Sequence, residues 1–594
     1  MEMEKKNFAI IILSIVLVAS GIGNIVLAVS GGILGRRSEK KNTIIVGYGS
    51  NLAAIDPLDT WDVPSHIAEH QVAESLVDYD YQDHPNYSII PKLAKEWFWH
   101  NSSCISFKIR ENVFFHDGYP LTAEAVKWNF DRLMYFINSS GDLVANDTSW
   151  EAFLSAVYYF SDGTPIINKT EVTDMYNFTV YLNKPFGAFI DLMTFCGTYI
   201  LSPASTPKYR FLDMNSDIII GTGPFKYIHY IYDREVRFER WERYWGTNPW
   251  AEILIFRIIE DDTARMTAGL AGQFDYVNNV PKSYITQFKA ESDIIVEDVG
   301  EDLCYFYLEI YSGPPGGESP IVGGQVNQKL SAEFRRALAL VTNYSYITDE
   351  ILSGYAYPAC PAVPRAMPGY NKSIEGKMVA DYPFGGDYES NVKKAREIIM
   401  ALYPSETNGL DPNYPGDSES DWTELSLKTL EVNQHFGDTT NQRLNQLMEN
   451  NFALIGVNIE VTIRTWGEYL DTGEHTPWEM DVGFIGWCPD YLDAFNMLDP
   501  IFNNQSGSCF SRISDPVLIS MIESAASLTD PIARQSIYMD IQSYLFDITR
   551  PVNPSSYCHI PGWVFLIQQA HIKGLKGVGY NVMAMLDCWH WYFD

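Results

Sequence analysis

The segment FKIRENVFFHDGYPLTAEAVKWNFDRL, residues 107–133, places a histidine, an aspartate and a glutamate close together around a glycine. Such a group of side chains occurs in catalytic sites, but each member also has a structural explanation. We predict that the alternating residues form strands, that His116 bonds local backbone at a strand end, and that Asp117 begins a turn. Thr122 is expected to cap a helix whose positive end favours Glu124. The cluster is therefore interpreted as a corner of the fold.

Alternating segments and segments with helical spacing follow one another along the rest of the chain. Alternation of apolar and polar residues predicts strands within residues 104–115 and 175–186. Helical spacing predicts helices within residues 65–80, 333–352 and 392–403. Interleaved elements of this kind indicate the α/β class, built as mixed lobes.

Length and charge limit the classes of function. A chain of 594 residues, 46% of them hydrophobic, can bury large cores and is expected to form more than one domain. Its 42 Lys and Arg against 75 Asp and Glu give a formal net charge of −33, which would repel nucleic acid and anionic membranes. The sequence has no phosphate-binding G-x-x-x-x-G-K-[ST] loop, which excludes that route to nucleotide hydrolysis.

The N-terminal sequence predicts passage through or attachment to a membrane. Lys5 and Lys6 precede an uncharged apolar run at residues 8–29, which at about 20 residues is long enough to span a bilayer. Ala28 and Ser30 also fit a signal-peptidase site. The segment is either a signal peptide or a single membrane anchor, and both alternatives stay open.

Two further features predict that the rest of the chain lies outside the cytoplasm and is glycosylated. The eight cysteines form an even number, as disulfide pairing requires. N-x-[ST] acceptor sequons for glycosylation occur at Asn86, Asn101, Asn138, Asn146, Asn168, Asn177, Asn343, Asn371 and Asn504.

The pentapeptide HIAEH at residues 66–70 raises an alternative function. It matches the H-x-x-E-H pattern of inverted zinc metallopeptidases. On a helix, His66 and His70 lie one turn apart and could both bind zinc, with Glu69 as general base. The same residues also suit an ordinary helix whose apolar face carries Ile67. We keep the zinc metallopeptidase as the alternative from another functional class.

A candidate ligand site follows a predicted strand at residues 480–487. Pro489 removes a ladder donor and ends the strand. Asp490 and Tyr491 therefore lie just beyond its carboxyl end, where open α/β sheets bind ligands. Trp487, the last residue of the strand, could line the same cleft.

Several segments in a fixed order carry a family resemblance that runs from about Thr43 to the C-terminus. Besides residues 107–133 they include VAESLVDYD, IIPKLAKEWFW, GTGPFKYIHYIYDREVRFERWERYW, GYAYPACPAVPRAMPGYN and GFIGWCPDYLDAFNML. Together they resemble the family 5 extracellular solute-binding proteins of ABC transporters, the peptide, nickel and oligosaccharide group. The resemblance implies a two-lobed, periplasmic-binding-protein-like α/β fold with a hinge, an extra small lobe and a ligand cleft.

The resemblance also implies roles for particular residues. In peptide-binding relatives, the aspartate at the place of Asp490 receives the α-ammonium group of the ligand. Some of them carry an arginine for the ligand carboxylate at the place of Phe484, which is uncharged here, so a short free peptide is less well supported than a longer peptide, an amine or a sugar. Some relatives have a disulfide that would join Cys304 to Cys488. No cofactor and no metal is implied.

The order of motifs predicts the domains. Residues 1–42 form the signal peptide or anchor with a tether. The main lobe is discontinuous, and a small lobe and a second ligand-binding lobe complete the molecule, with these boundaries: main lobe 43–86, 221–304 and 556–594; small lobe 87–220; second lobe 305–555.

The function implied by this resemblance is capture of a peptide-like solute in the cleft and its delivery to a permease, with no catalytic step. Ligand contact with both lobes would favour the closed state that the permease recognises. The partners implied are two permease subunits and their ATPases, the membrane through the N-terminal segment, and no nucleic acid. The protein is expected to be a monomer. An oligosaccharide receptor of the same transporter class is the alternative within this class.

Overall fold

The structure is a computed structural model. It describes residues 42–594 except 61, 82, 84–86, 138–156, 315–320, 323–324, 327, 359–360, 381–386, 436–438 and 548–550. The predicted signal peptide or anchor therefore lies outside the described residues. None of the described helices is both long and apolar enough to cross a membrane.

The strands build one large sheet, one central sheet in the second half of the chain, and smaller sheets. In chain order they are β1 (Thr43–Tyr48), β2 (Val77–Tyr79), β3 (Ile89–Pro91), β4 (Ala94–Asn101), β5 (Cys104–Ile109), β6 (Ile167–Asp174), β7 (Asn177–Leu182), β8 (Phe225–Ile231), β9 (Glu235–Arg240), β10 (Ile253–Ile258), β11 (Tyr276–Val277), β12 (Ile294–Glu301), β13 (Tyr305–Ile310), β14 (Ile321–Val322), β15 (Gln325–Val326), β16 (Ala356–Pro358), β17 (Lys428–His435), β18 (Val457–Arg464), β19 (Val482–Trp487), β20 (His559–Pro561), β21 (Trp563–Ile572), β22 (Leu575–Lys576) and β23 (Tyr592–Phe593).

The helices pack on these sheets. In chain order they are α1 (Val63–His70), α2 (Ala123–Phe136), α3 (Phe189–Leu192), α4 (Asp262–Leu270), α5 (Ile285–Ala290), α6 (Ala332–Leu340), α7 (Lys372–Ala380), α8 (Tyr388–Leu402), α9 (Glu419–Glu424), α10 (Thr439–Ala453), α11 (Trp466–His475), α12 (Phe495–Phe502), α13 (Pro516–Ser527) and α14 (Pro531–Phe546). The mixture agrees with the predicted α/β class.

The large sheet is eight-stranded and has the order β12-β21-β11-β1-β10-β9-β8, with β16 paired to β21. Its core strands come from three separate stretches of sequence: residues 43–48, 225–301 and 563–572. The central sheet has the order β18-β17-β19-β13-β20, and a four-stranded sheet has the order β4-β5-β7-β6. Except for β20, which lies in the predicted main lobe, these strands fall within the predicted second and small lobes, and the lobe boundaries stay a prediction.

The largest apolar core joins side chains that are far apart in sequence. It includes buried residues of the predicted small lobe and of residues 491–546. Phe186 and Phe495 meet edge to face in this core, with ring centroids 5.2 Å apart. The two stretches are therefore packed against each other in this structure.

The corner at residues 107–133 is structural, and two details of its prediction are wrong. Thr122 caps α2 by accepting a hydrogen bond from the Ala125 amide (3.3 Å). The residues before His116 form no second strand, only an isolated bridge between Phe114 and Pro120. The His116 ring does not bond local backbone: its Nε2 lies 2.9 Å from the carbonyl oxygen of Gly223, 107 positions away.

The helix predicted at residues 65–80 is also shorter than expected, because α1 ends at His70 and β2 follows. Long-range hydrogen bonds replace the helix: the Gly223 amide donates to the Val72 carbonyl (2.8 Å) and the Phe225 amide to the Gln71 carbonyl (3.1 Å). This approach requires glycine at position 221, where a Cβ would lie 2.2 Å from the Val72 carbonyl oxygen.

Candidate functional site

A cavity of about 370 Å³ lies where the three predicted lobes meet. Its walls come from residues 63–92, 194–199, 302–304, 486–490 and 582–589, together with Pro224. Its charged lining residues are Glu74, Asp78, Lys92, Asp302 and Asp490. Its aromatic lining residues are Tyr79, Tyr81, Phe195, Tyr199, Trp487 and Trp589. The volume lies within the range of small-molecule sites.

Asp490 reaches the cavity because β19 ends at Trp487 and the chain turns there. The first turn of α12 fixes its orientation: Asn496 Nδ2 donates to Asp490 Oδ2 (3.0 Å), and the Asp490 amide donates to Asn496 Oδ1 (2.6 Å). The carboxylate is half-buried. Burial raises its pKa to about 6, and the hydrogen bond from Asn496 opposes that rise.

The cavity has more acidic than basic side chains. In the described part of the chain no Lys, Arg or His nitrogen lies within 4.0 Å of the Asp490 carboxylate. Asp302 Oδ1 accepts the amides of Leu303 (2.8 Å) and Cys304 (3.3 Å), and burial raises the pKa of this carboxyl. Asp490, which has no such basic neighbour among the described residues, thus gives this cavity an electrostatic preference for a cationic group.

Among the described residues that line the cavity, the one lysine is already paired. Lys92 Nζ lies 3.3 Å from Asp78 Oδ2 and 3.8 Å from Glu74 Oε1. Burial acts to lower the pKa of Lys92, but these carboxylates outweigh it and raise the pKa. Glu74 also accepts hydrogen bonds from Tyr244 and Trp245, each at 2.8 Å. Its charge is therefore compensated inside the wall.

Of the two aromatic residues proposed beside Asp490, only Trp487 lines the cavity in the described structure. Trp487 lines the cavity, and its indole Nε1 donates to the Asn496 carbonyl (2.6 Å), so the ring is held in place and offers only its faces and edges. Tyr491 is only 2% exposed and is part of the large apolar core. It is not among the residues that line this cavity, and its contact with a ligand stays a prediction.

The disulfide implied by the resemblance is present between Cys304 and Cys488, whose Cα atoms are 4.1 Å apart. The reason is the sheet register, since β13 and β19 are antiparallel and Tyr305 lies opposite Trp487. Cys304 immediately precedes Tyr305, and Cys488 immediately follows Trp487, so the two cysteines also lie side by side. Phe484, three positions before Trp487 in β19, packs near Trp563 and lines a separate cavity of about 20 Å³.

The histidines of the HIAEH segment do not converge. His70 Nδ1 lies 2.8 Å from the Tyr199 hydroxyl, and its Nε2 lies 3.0 Å from Asp587 Oδ1. His66 Nε2 lies 3.0 Å from Cys196 Sγ instead. The paired-histidine zinc site of a metallopeptidase is therefore not the arrangement in this structure.

Burial dominates the protonation of the group around His66. It lowers the pKa of the His66 imidazole to about 4. It raises the pKa of the Glu69 carboxyl and of the Cys196 thiol. Burial therefore disfavours the charged form of all three side chains.

Most of the cavity lining was not identified from the sequence. Glu74, Asp78 and Lys92 lie in the segments VAESLVDYD and IIPKLAKEWFW, which contributed only to the resemblance. The sequence signal that could have identified these three residues is their charge beside short apolar runs. Nothing local indicated Cys196 or Trp589, because they reach the cavity only through tertiary contacts.

Comparisons with known proteins agree with this architecture. The family described as "Bacterial extracellular solute-binding proteins, family 5 Middle" matches residues 88–508. The chain is 23% identical over 482 residues to the dipeptide-binding protein of Escherichia coli, covering 77% of this chain and 79% of that protein. It is 22% identical over 552 residues to the periplasmic oligopeptide-binding protein OppA of the same organism, covering 89% and 90%.

Solved structures share the fold. The periplasmic binding protein DppA of Helicobacter pylori in complex with the peptide STSA superposes with a TM-score of 0.68 at 19% identity, covering 94% of this chain and 99% of that one. NikA of Brucella suis in complex with Fe(III)-EDTA gives a TM-score of 0.72 at 16% identity, covering 93% and 100%. At these identities the likeness establishes a two-lobed periplasmic-binding-protein fold.

Proposed function

The chain belongs to the family 5 bacterial extracellular solute-binding proteins, and on that premise we propose that its ligand is a peptide-like molecule with a free ammonium group. The ligand lies in the cavity between the lobes and is passed to the permease of an ABC importer. No catalytic step is needed, because the work of the protein is selective binding followed by release.

Asp490 carries this proposal. Its carboxylate lines the cavity, is held by Asn496, and has no described basic side chain within 4.0 Å. An ammonium group entering the cavity would supply the missing counter-charge in a partly desolvated site. The dipeptide-binding and oligopeptide-binding names of the relatives support the same class of ligand.

Delivery follows from the position of the cavity. Its walls come from all three predicted lobes, so a bound ligand touches each of them. A ligand that contacts several lobes stabilises the closed state by its additional contacts there. The permease would then distinguish the loaded from the empty protein by shape.

The proposal also covers the location of the protein and its partners. Residues 8–29 serve as signal peptide or membrane anchor, and the remainder works as a monomer outside the cytoplasm with permease subunits and ATPases as partners. The high negative charge favours a small solute over nucleic acid.

The test is titration calorimetry of the purified ectodomain with matched ligands. Native mass spectrometry of freshly purified protein first identifies any co-purified ligand. Peptides with a free N-terminus are then compared with the same peptides after N-acetylation, which removes the positive charge. We expect the free peptides to bind and the acetylated ones to bind at least about 30-fold more weakly, the lower end of the cost of unpairing a buried charge.

Equal binding of both forms would contradict the proposed ammonium contact. Binding of a neutral oligosaccharide with no binding of peptides would favour the oligosaccharide receptor, in which Trp487 and Trp589 would stack on sugar rings. Cleavage of the peptides during the titration would favour a peptidase.

A further inference from the structure

A second group of side chains lies in the wall of the same cavity, away from Asp490. His66, Glu69 and Cys196 each offer one possible metal-ligand atom, and these three atoms lie within 4.8 Å of one another. His66 and Cys196 line the cavity, and all three side chains are at most 8% exposed. The group is reachable from the cavity and shielded from bulk water.

One atom of this group lacks a partner in the described structure. Glu69 Oε2 is buried and accepts no hydrogen bond, although Glu69 Oε1 accepts one from the Thr60 hydroxyl (2.5 Å). An unpartnered buried carboxylate oxygen is costly. Its position beside a thiol and an imidazole is explained if a cation lies between them.

We propose that His66 Nε2, Glu69 Oε2 and Cys196 Sγ bind a Zn²⁺ ion whose fourth coordination position faces the cavity. A ligand set of one nitrogen, one sulfur and one oxygen suits zinc and does not suit Mg²⁺ or Ca²⁺, which prefer oxygen ligands. The site is independent of the proposed peptide function, because it requires only these three side chains.

The chain geometry makes the site attainable with small side-chain movements. His66 and Glu69 lie three positions apart on α1 and therefore on one face of the helix. Cys196 begins the short 3₁₀ turn Cys196–Thr198, and Phe195 packs edge to face against the His66 ring. Ligand atoms on a tetrahedral zinc ion lie roughly 3.3 to 3.7 Å apart. The Nε2–Sγ distance of 3.0 Å must therefore open slightly, and the longest separation must shorten.

Metal binding here differs from the paired-histidine arrangement. Glu69 becomes a ligand and is not available as a general base, and His70 stays bonded to Tyr199 and Asp587. When zinc binds, the Cys196 thiol loses its proton to the solvent and the sulfur electron pair forms the bond to the metal. A carboxyl proton on Glu69 leaves in the same way.

The metal-free alternative is an ordinary hydrogen-bonded cluster. In it, His66 Nε2 keeps a proton and donates to the Thr60 carbonyl oxygen (3.3 Å), with the Cys196 sulfur as a second neighbour. This alternative predicts no tight metal binding and no proton release, so measurement can distinguish the two.

The experiment is metal analysis and titration of the full ectodomain with ZnCl₂ and CoCl₂. We expect about one zinc ion per chain after purification without chelator, proton release on binding, and a thiolate-to-cobalt charge-transfer absorption with Co²⁺. The variants C196S, H66Q and E69Q should each weaken Zn²⁺ binding by more than the roughly 100-fold that loss of an outer-shell partner costs. H70Q, which changes the other histidine of the segment, and C104S, which changes another buried thiol, should bind zinc within about threefold of wild type.

Folding of each variant is checked by circular dichroism. If a ligand variant does not fold, the wild-type protein still decides, because its zinc content, its proton release and its cobalt absorption are measured without any variant. Absence of the cobalt absorption in the wild type, or an equal loss of zinc binding in H70Q, would overturn the site. Peptide binding measured in the presence of a chelator tests the proposed function separately.

Discussion

Asp490 and Asn496 hold each other by two hydrogen bonds, side chain to side chain at 3.0 Å and backbone amide to side chain at 2.6 Å. The pair joins the end of β19 to the start of α12. The carboxylate is thereby oriented before any ligand arrives, and preorganisation of this kind reduces the ordering cost of binding.

We first predict that Asp490→Ala weakens binding of a cationic ligand. An ammonium group left unpaired in the closed cavity costs about 2 to 5 kcal/mol, or roughly 1.5 to 3.5 decades of affinity. The measurement is titration calorimetry of both proteins with the same ligand. Asp417→Ala, which changes an exposed carboxylate outside the cavity lining, is the control and should bind like wild type. A loss of affinity under about threefold for Asp490→Ala would show that Asp490 stabilises a turn and does not bind the ligand.

Binding of a cationic ligand should also depend on pH through Asp490. The pKa of its carboxyl in the free protein is about 6, so below that pH a proton must leave before an ammonium group can pair with it. Affinity is therefore full above about pH 6 and falls by up to about tenfold per pH unit below it.

Titrations between about pH 4.5 and 7.5 check this sign, because an α-amino group stays largely protonated throughout. Asp490→Asn should remove the dependence and leave weak binding at every pH. If the slope persists in Asp490→Asn, another group controls the pH profile.

The disulfide between Cys304 and Cys488 should contribute substantially to stability. It spans a sequence separation of 184 residues, for which chain entropy alone gives about 5 kcal/mol. We expect the double variant C304S/C488S to lower the unfolding free energy in urea by up to this amount. The single variant C104S, at a cysteine with a free thiol, serves as the comparison. An unchanged urea midpoint in the double variant, or peptide maps with both thiols free in exported protein, would contradict the prediction.

Glycosylation, if the chain is modified, should avoid Asn371. Its Nδ2 donates to the Met539 carbonyl (2.8 Å) and lies 3.0 Å from the Ser543 hydroxyl, and the residue is only 6% exposed. Asn101 and Asn168 are exposed and can carry a glycan. Glycopeptide mapping of protein from its native cells should find sugar at exposed sequons and none at Asn371.

A stability comparison provides a second readout for Asn371. Asn371→Gln should cost about 1 to 3 kcal/mol of unfolding free energy by displacing a buried amide, whereas Asn168→Gln should be close to neutral. A glycan found on Asn371 in folded protein would show that α14 packs differently around this residue.

The sequence by itself determined the elements whose signals are local. Alternation of apolar and polar residues located β5 and β7, and Thr122 marked the start of α2. The order of the motifs led to the solute-binding family, and the proline after β19 placed Asp490 beyond a strand end. These predictions succeeded because periodicity, caps and strand breakers act over a few residues.

Tertiary structure alone decided which distant residues meet. It ended α1 at His70, where backbone bonds from residues 221–225 replace the next helical turn. It paired His116 with Gly223 and brought Cys196 to His66 across 130 positions. It also buried Tyr491, which its place beside Asp490 did not predict. No local pattern encodes such meetings, because they depend on how whole lobes pack and on which buried polar groups each lobe must satisfy.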